Sequence, residues 1–284
     1  MRLLVLLTAL AMPIVAWLSN TGAFGPDQGT ISDRYPTLVV AAGYAFSIWS
    51  LIFLLDLAYA AWQMSGMRRR DPTLARIAPA AALGFALTTV WMPLFSQQLF
   101  WACLLVIFGA LACLAWCAVQ LSRDPAPMRG QLVFAWLPLS LHAGWLTLAS
   151  FLNLAQVMVA YEVVPVNGQL QATLGLYAAA AIVLLGLNHA MRGNLAYAAA
   201  ALWALVAVYV RQSGHALPGA EISAWMAALL ALVLCVQTAM LRLRGGRRGW
   251  STSTRGAALR RCQPRRAARH ASRTASAPHA LGSM

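Results

Sequence analysis

Apolar residues run on for the length of a bilayer crossing eight times along this chain, at 3–19, 38–63, 77–96, 99–121, 132–160, 170–190, 195–211 and 221–241. Each run reaches at least the ~17 residues that a helix needs to span a hydrocarbon core about 30 Å thick. In lipid such a run is helical, because a helix satisfies its own backbone donors and acceptors and an open strand does not. The pattern predicts an all-α fold, a polytopic membrane helix bundle of eight spans. The run at 77–96 departs most from a plain apolar stretch, with Pro79 and Pro93 near its ends and Thr88 and Thr89 inside. Prolines are tolerated in membrane helices, where neighbours re-satisfy the freed backbone groups.

Polar and aromatic residues interrupt these runs in a few places, and there the chain has something to hold. The second span, AAGYAFSIWSLIFLLDLAYAAWQ at 41–63, carries one acid, Asp56, deep within it. On a helix Phe46, Trp49, Phe53 and Asp56 fall within roughly an 80° arc. An ionisable group at such depth is costly and marks a functional position; Asp56 could pair with an Arg near the boundary, stay protonated or serve a proton-coupled step. In the fifth span Pro138, His142, Trp145, Ala149 and Asn153 share an arc of roughly 80°. A small residue between Trp145 and Asn153 lets a helix or a flat ligand approach closely. His142 reads either as a hydrogen-bonded packing residue or as an axial ligand for a metalloporphyrin. A third group, Trp91 to Phe95, ends the 77–96 span, where a Trp commonly anchors the interface.

Composition agrees with lipid as the solvent: 61% of residues are hydrophobic and 10% are charged, against about 25% charged in soluble domains. The net charge of +14 comes from 21 basic residues, all Arg. They gather in loops and the C-terminal stretch, so they read as membrane-orienting charge and no nucleic-acid partner is expected. With the N-terminus inside, Arg2, Arg68–Arg70, Arg76, Arg123, Arg129, Arg192 and the tail fall on the inner side; Arg34 and Arg211 fall outside. That predicts a multi-pass protein of the inner (plasma) membrane with both termini cytoplasmic. The first span also resembles a signal peptide, though no clear small-x-small cleavage site follows it.

The loop at 20–37 is rich in Gly, Pro, Asp, Asn and Ser and reads as turns rather than helix, a connector or a lid over the Phe46/Trp49 end of the second span. Residues 245–284 have few large apolar side chains and many Arg, Ser, Ala and Pro, the composition of a disordered, Arg-rich cytoplasmic tail. Five cysteines, four of them in spans, imply no disulfide framework. The chain has no Walker-type loop, no HExxH and no hydrolase nucleophile motif.

Three stretches together resemble the tryptophan-rich sensory protein family, TspO/MBR, which includes the mitochondrial translocator protein. Tyr44, Phe46, Trp49, Ile52 and Phe53 give a shorter version of its second-helix pattern. Trp91, Leu94 and Phe95 match its Trp-x-x-Leu-Phe, and Trp145, Ala149 and Asn153 match its Trp-x-x-x-Ala-x-x-x-Asn. The resemblance is to the longer bacterial members. It implies a five-helix TspO-like unit at 1–160, followed by about three further transmembrane helices at 161–244. Ala41 and Ala42 stand where the family has paired prolines.

The resemblance further implies a cavity that binds porphyrins, haem-like tetrapyrroles or sterols. Carried over by residue, Phe46, Trp49, Phe53, Trp91, Phe95, Trp145, Ala149 and Asn153 would line it; Asp56 and His142 are additions from the chain itself. No metal site, catalytic residue or obligatory cofactor is assigned. The expected partners are the lipid bilayer and a hydrophobic small molecule, with a homodimer left open. The expected role is sensory or regulatory; the alternatives are a proton-coupled secondary transporter and a porphyrin-degrading enzyme.

Overall fold

The computed structural model describes residues 1–165 and 168–261, with side chains as far as Arg244. Eight helices among these are long and apolar enough to cross a membrane, as the hydropathy pattern predicts. They are α1 (Arg2–Asn20), α3 (Ile48–Trp62, led by a 3-10 turn at Gly43–Ser47), α4 (Pro72–Ser96), α5 (Phe100–Ser122), α6 (Leu137–Ala160, led by a π-helical turn at Leu132–Trp136), α7 (Gln169–Ala190), α8 (Leu195–Ser213) and α9 (Ala220–Arg261). A short helix, α2 (Gln28–Arg34), lies between the first two spans. No strand occurs among the described residues. The tail expected at 245–284 lies outside the residues whose side chains are described.

Two boundaries differ from the hydropathy runs for local reasons. Residues 38–42 are apolar but not helical, because α8 and α9 capture their backbone. Gln212 Nε2 donates to the carbonyls of Thr37 and Val40, each at 3.1 Å, the Ala42 amide donates to Ala207 O at 2.9 Å, and Ser223 Oγ donates to Leu38 O. Helix α4 starts earlier than the run at 77, since Asp71 accepts from the Leu74 amide and Pro72 occupies the first turn. An Asp cap followed by Pro satisfies that end despite the polar sequence. The segment at 20–37 also departs from its all-turn reading. Asp27 Oδ1 accepts from the Gly29 and Thr30 amides, and Ile31 is fully buried, which together nucleate α2.

Helix α6 forms the centre of the bundle, with α5, α8, α7 and α3 packed around it, and α1 lies against α3 and α4. Its contact with α8 is close enough that a Cβ on Gly144 would overlap the Tyr197 carbonyl. Polar bonds secure that seam: Thr147 Oγ1 and Tyr197 Oη lie 2.9 Å apart, and Asn194 Nδ2 donates to Ser140 Oγ at 2.7 Å. Small and hydroxyl residues at a helix crossing are what association in lipid favours. Helix α9 joins α7 through Tyr177 Oη on Ser223 O and Asn188 Nδ2 on Thr238 Oγ1.

The two ends of the bundle are chemically distinct. At one, Arg2 donates to Gln63 Oε1 and Leu74 O, and Arg123 to Ala190 O. At the other, exposed Trp17, Trp101, Tyr161 and Trp225 form a belt of amphipathic rings, the arrangement of side chains at a membrane–water interface. There too Gly25, at φ +130°, brings the loop against Ser96 O, where a Cβ would clash.

Candidate functional site

The 3-10 turn at Gly43–Ser47 delivers Phe46, and the first turn of α3 delivers Trp49, to the aromatic end of the bundle. Trp49 is the hub. It stacks on Phe53 at 5.3 Å and 20°, leans on Trp91 at 6.3 Å, and meets Trp145 edge to face at 5.9 Å and 82°. Phe46 contacts the other side of Trp145 at 6.4 Å, and Phe95 packs on Trp91 at 4.8 Å. Offset and edge-on geometries of this kind suit aromatic quadrupoles and contribute beyond area burial. Asn153 accepts from Trp91 Nε1 at 2.9 Å, and half-buried Ala149 packs on the core between Trp145 and Asn153.

A cavity of about 210 Å³ opens in front of this cluster. Of the eight ligand-binding residues expected from the sequence, Phe46, Trp49 and Phe53 line it; Trp91 and Trp145 pack on Trp49, Phe95 and Asn153 reach the cluster through Trp91, and Ala149 does not line it. Its other walls are Ala16 and Asn20 of α1, Gly43 at the head of the 3-10 turn, Met92 of α4, and Asp27, Gln28 and Gly29 at the start of α2. None of those seven was expected as a ligand contact, although Met92 lies in the Trp91–Phe95 group and a 20–37 segment lying over Phe46 and Trp49 pointed to Asp27–Gly29. The volume falls below the ~300–1,000 Å³ of a typical small-molecule pocket. Admitting a larger molecule therefore requires the opening to widen.

Trp49 Nε1 in the lining, and Trp145 Nε1 and Asn153 Nδ2 outside it, are buried donors with no partner, and a buried donor left unpaired is costly. Asp27, outside the spans, is held below the usual carboxylate range, chiefly by the Thr30 hydroxyl and also by backbone amides.

Directly beneath Trp49 lies a second constellation. Asp56 Oδ2 and His142 Nδ1 are 2.7 Å apart, and both side chains are fully buried. The imidazole meets Trp49 edge to face at 5.8 Å, stacks on Phe85 at 6.1 Å and 10°, and turns Nε2 toward Thr88 Oγ1 at 3.4 Å. The two polar residues singled out on separate helices are thus one pair. Neither lines the cavity; Trp49 touches both the cavity and the pair.

No curated protein and no solved structure is significantly similar to the chain. The TSPO-like protein family, by contrast, matches residues 2–240, a stretch that includes the aromatic cluster, the buried pair and most of the last span. By that match the chain belongs to the TSPO-like (TspO/MBR) family of membrane proteins.

Proposed function

We propose that the protein binds planar, hydrophobic, acceptor-bearing molecules of the porphyrin or tetrapyrrole class in the cavity in front of Trp49, and that binding serves a sensory or regulatory role. The observation that carries this reading is the unpartnered indole N–H of Trp49, which lines the opening among packed rings, with the equally unpartnered indole of Trp145 edge to face against it. Flat apolar walls with a few convergent polar groups are what small-molecule sites are made of. The eight residues carried over from the family act as a lining layer and a supporting layer. Helix α2 and the loop around it act as the lid that yields when the ligand enters. Arginine bias sets the orientation, with the Arg2 end and both termini cytoplasmic in the inner membrane.

The test is a titration of detergent-purified protein with protoporphyrin IX, following Trp emission. Saturable quenching is expected, weakened at least severalfold by Trp49→Phe combined with Trp145→Phe. Emission unchanged at micromolar porphyrin, or quenching indifferent to the substitutions, removes the reading.

The buried Asp56–His142 pair favours a second reading, proton-coupled transport of the same class of ligand. It predicts ligand uptake into proteoliposomes driven by a proton gradient and abolished by Asp56→Asn. Ligand that binds but does not cross leaves the sensory reading in place.

A further inference from the structure

Below the Asp56–His142 pair, the buried face of α3 continues as a line of polar groups toward the arginine end. Tyr59 is fully buried and its hydroxyl has no partner; Gln63 is fully buried and its Nε2 has none; Asp56 Oδ1 has none either. The line ends where Gln63 Oε1 accepts from Arg2 Nη1 at 2.8 Å, and Arg2 also reaches Leu74 O at 3.0 Å. Residues 56, 59 and 63 share one face of a helix by spacing. Most buried polar groups find a partner, so three orphaned atoms in succession on one face call for an explanation. Packing alone gives none, because Leu or Phe would fill the same space without the cost of desolvating a polar group.

We infer that Asp56 and His142 form a buried proton-binding site that acts on the ligand cavity through Trp49 and exchanges its proton with the arginine end along Tyr59 and Gln63. With one proton shared, the pair is neutral overall, as carboxylate and imidazolium. A second proton leaves the pair net positive, with imidazolium against the Trp49 ring, an arrangement that a cation–π contact stabilises. The proton enters at Asp56 Oδ1 and leaves by the same route, carried by water that the unpartnered Tyr59 hydroxyl and Gln63 Nε2 would hold between Asp56 and the arginine end. Among the described residues, the only other charged or titratable group that acts on Asp56 is His142 itself; Tyr59 on α3 lies within reach of Asp56, and Cys117 on α5 and Arg2 on α1 lie around Tyr59 in turn, while α4 contributes Thr88 and Phe85 to the pair. A positive pair behind Trp49 favours an acceptor-rich or anionic ligand in the cavity, so ligand entry takes up one proton. That link to a ligand rests on the reading of the cavity given above; the proton site does not.

The experiment has a ligand-free arm and a ligand arm, both on the full chain in detergent. Without ligand, infrared difference spectra across a pH titration should show the C=O stretch of a protonated carboxylic acid that grows in toward low pH and is absent in Asp56→Asn. Trp emission should follow the same titration, and the response should be lost in Trp49→Phe. Tyr59→Phe removes only an unpartnered hydroxyl and should fold normally. It should leave the titration midpoint in place and slow the response to a pH jump at least tenfold. With protoporphyrin IX, wild-type affinity should rise toward low pH by up to tenfold per unit more steeply than in Asp56→Asn and His142→Gln, a comparison in which the titration of the ligand itself cancels.

A carboxyl band that does not change with pH, or that persists in Asp56→Asn, overturns the inference; so does Tyr59→Phe matching wild type after a pH jump. Equal pH slopes in wild type and both pair variants overturn the link to the cavity. If porphyrin binds at no pH while the ligand-free titration behaves as expected, the cavity reading fails and the proton site stands.

Discussion

The Trp91 indole donates to Asn153 Oδ1 at 2.9 Å, tying α4 to α6 directly behind the cavity wall. Both side chains are buried, so losing one leaves the other unpaired in a dry environment. Asn153→Leu is expected to cost about 1–3 kcal/mol, read as a fall in thermal midpoint of several degrees. Trp91→Phe combined with Asn153→Leu should cost less than the two single changes added together, with a coupling of roughly 0.5–3 kcal/mol in a double-mutant cycle. Additive behaviour would mean that the bond contributes nothing in the membrane protein.

Gly144 is predicted to tolerate no side chain. A methyl group there meets the Tyr197 carbonyl, which is backbone and cannot rotate away, so Gly144→Ala should cost about 1–3 kcal/mol through overpacking. Gly175 on α7 has nothing within 4 Å of an added Cβ and provides the control. Gly175→Ala is expected to leave stability unchanged or raise it by about 0.4–1 kcal/mol. Thermal unfolding of the two variants side by side distinguishes a close crossing from a general intolerance of change.

The lid should respond to acid through Asp27. Its carboxyl is held below the ordinary value, first by the Thr30 hydroxyl, so its support of α2 is complete above the unfolded value of about 3.9 and fades as pH falls through the lower folded one. Amide exchange over residues 28–34 should be faster in Asp27→Ala than in wild type at pH 7. The two should converge once wild-type Asp27 is protonated. A difference that persists unchanged in strong acid would mean the carboxylate is not the cap.

Arg211 and Asp33 form an ion pair at 2.8 Å with side chains 38% and 67% exposed. Exposed pairs of this kind contribute about 0–1 kcal/mol. Arg211→Ala should therefore shift the unfolding midpoint by at most a few degrees, and the remaining difference should shrink at high salt as screening increases.

The eight spans were legible because hydrophobicity over a bilayer's thickness is a long, redundant signal that a few polar residues do not erase. Shorter features were not. Helix α2 depends on one cap and one buried isoleucine, Ile31, within a segment whose Gly, Pro and Asp content argues for turns. Residues 38–42 look like the start of a span and instead give carbonyls to Gln212 and Ser223, partners 172 and 185 residues away in sequence. Within the site, each helix face could be read from its own spacing, which brought Phe46, Trp49 and Phe53 together and likewise Trp145, Ala149 and Asn153. Which faces meet, and at what depth, is a property of the bundle. Asp56 and His142 each stood out as costly polar groups, yet nothing local to either span required them to be partners.

The seam between α6 and α8 has a consequence for any shortened form of the chain. A polypeptide ending after Ala160 would turn Ser140, Gly144 and Thr147 toward acyl chains, a notched and hydroxyl-bearing strip with no hydrocarbon match. Strips of small and hydroxyl residues are what drive one helix to seek another in lipid. Such a fragment would recruit a second copy of itself along that strip, so that the self-association of a truncated protein would report on a groove which, in the intact chain, Tyr197 and Asn194 already fill.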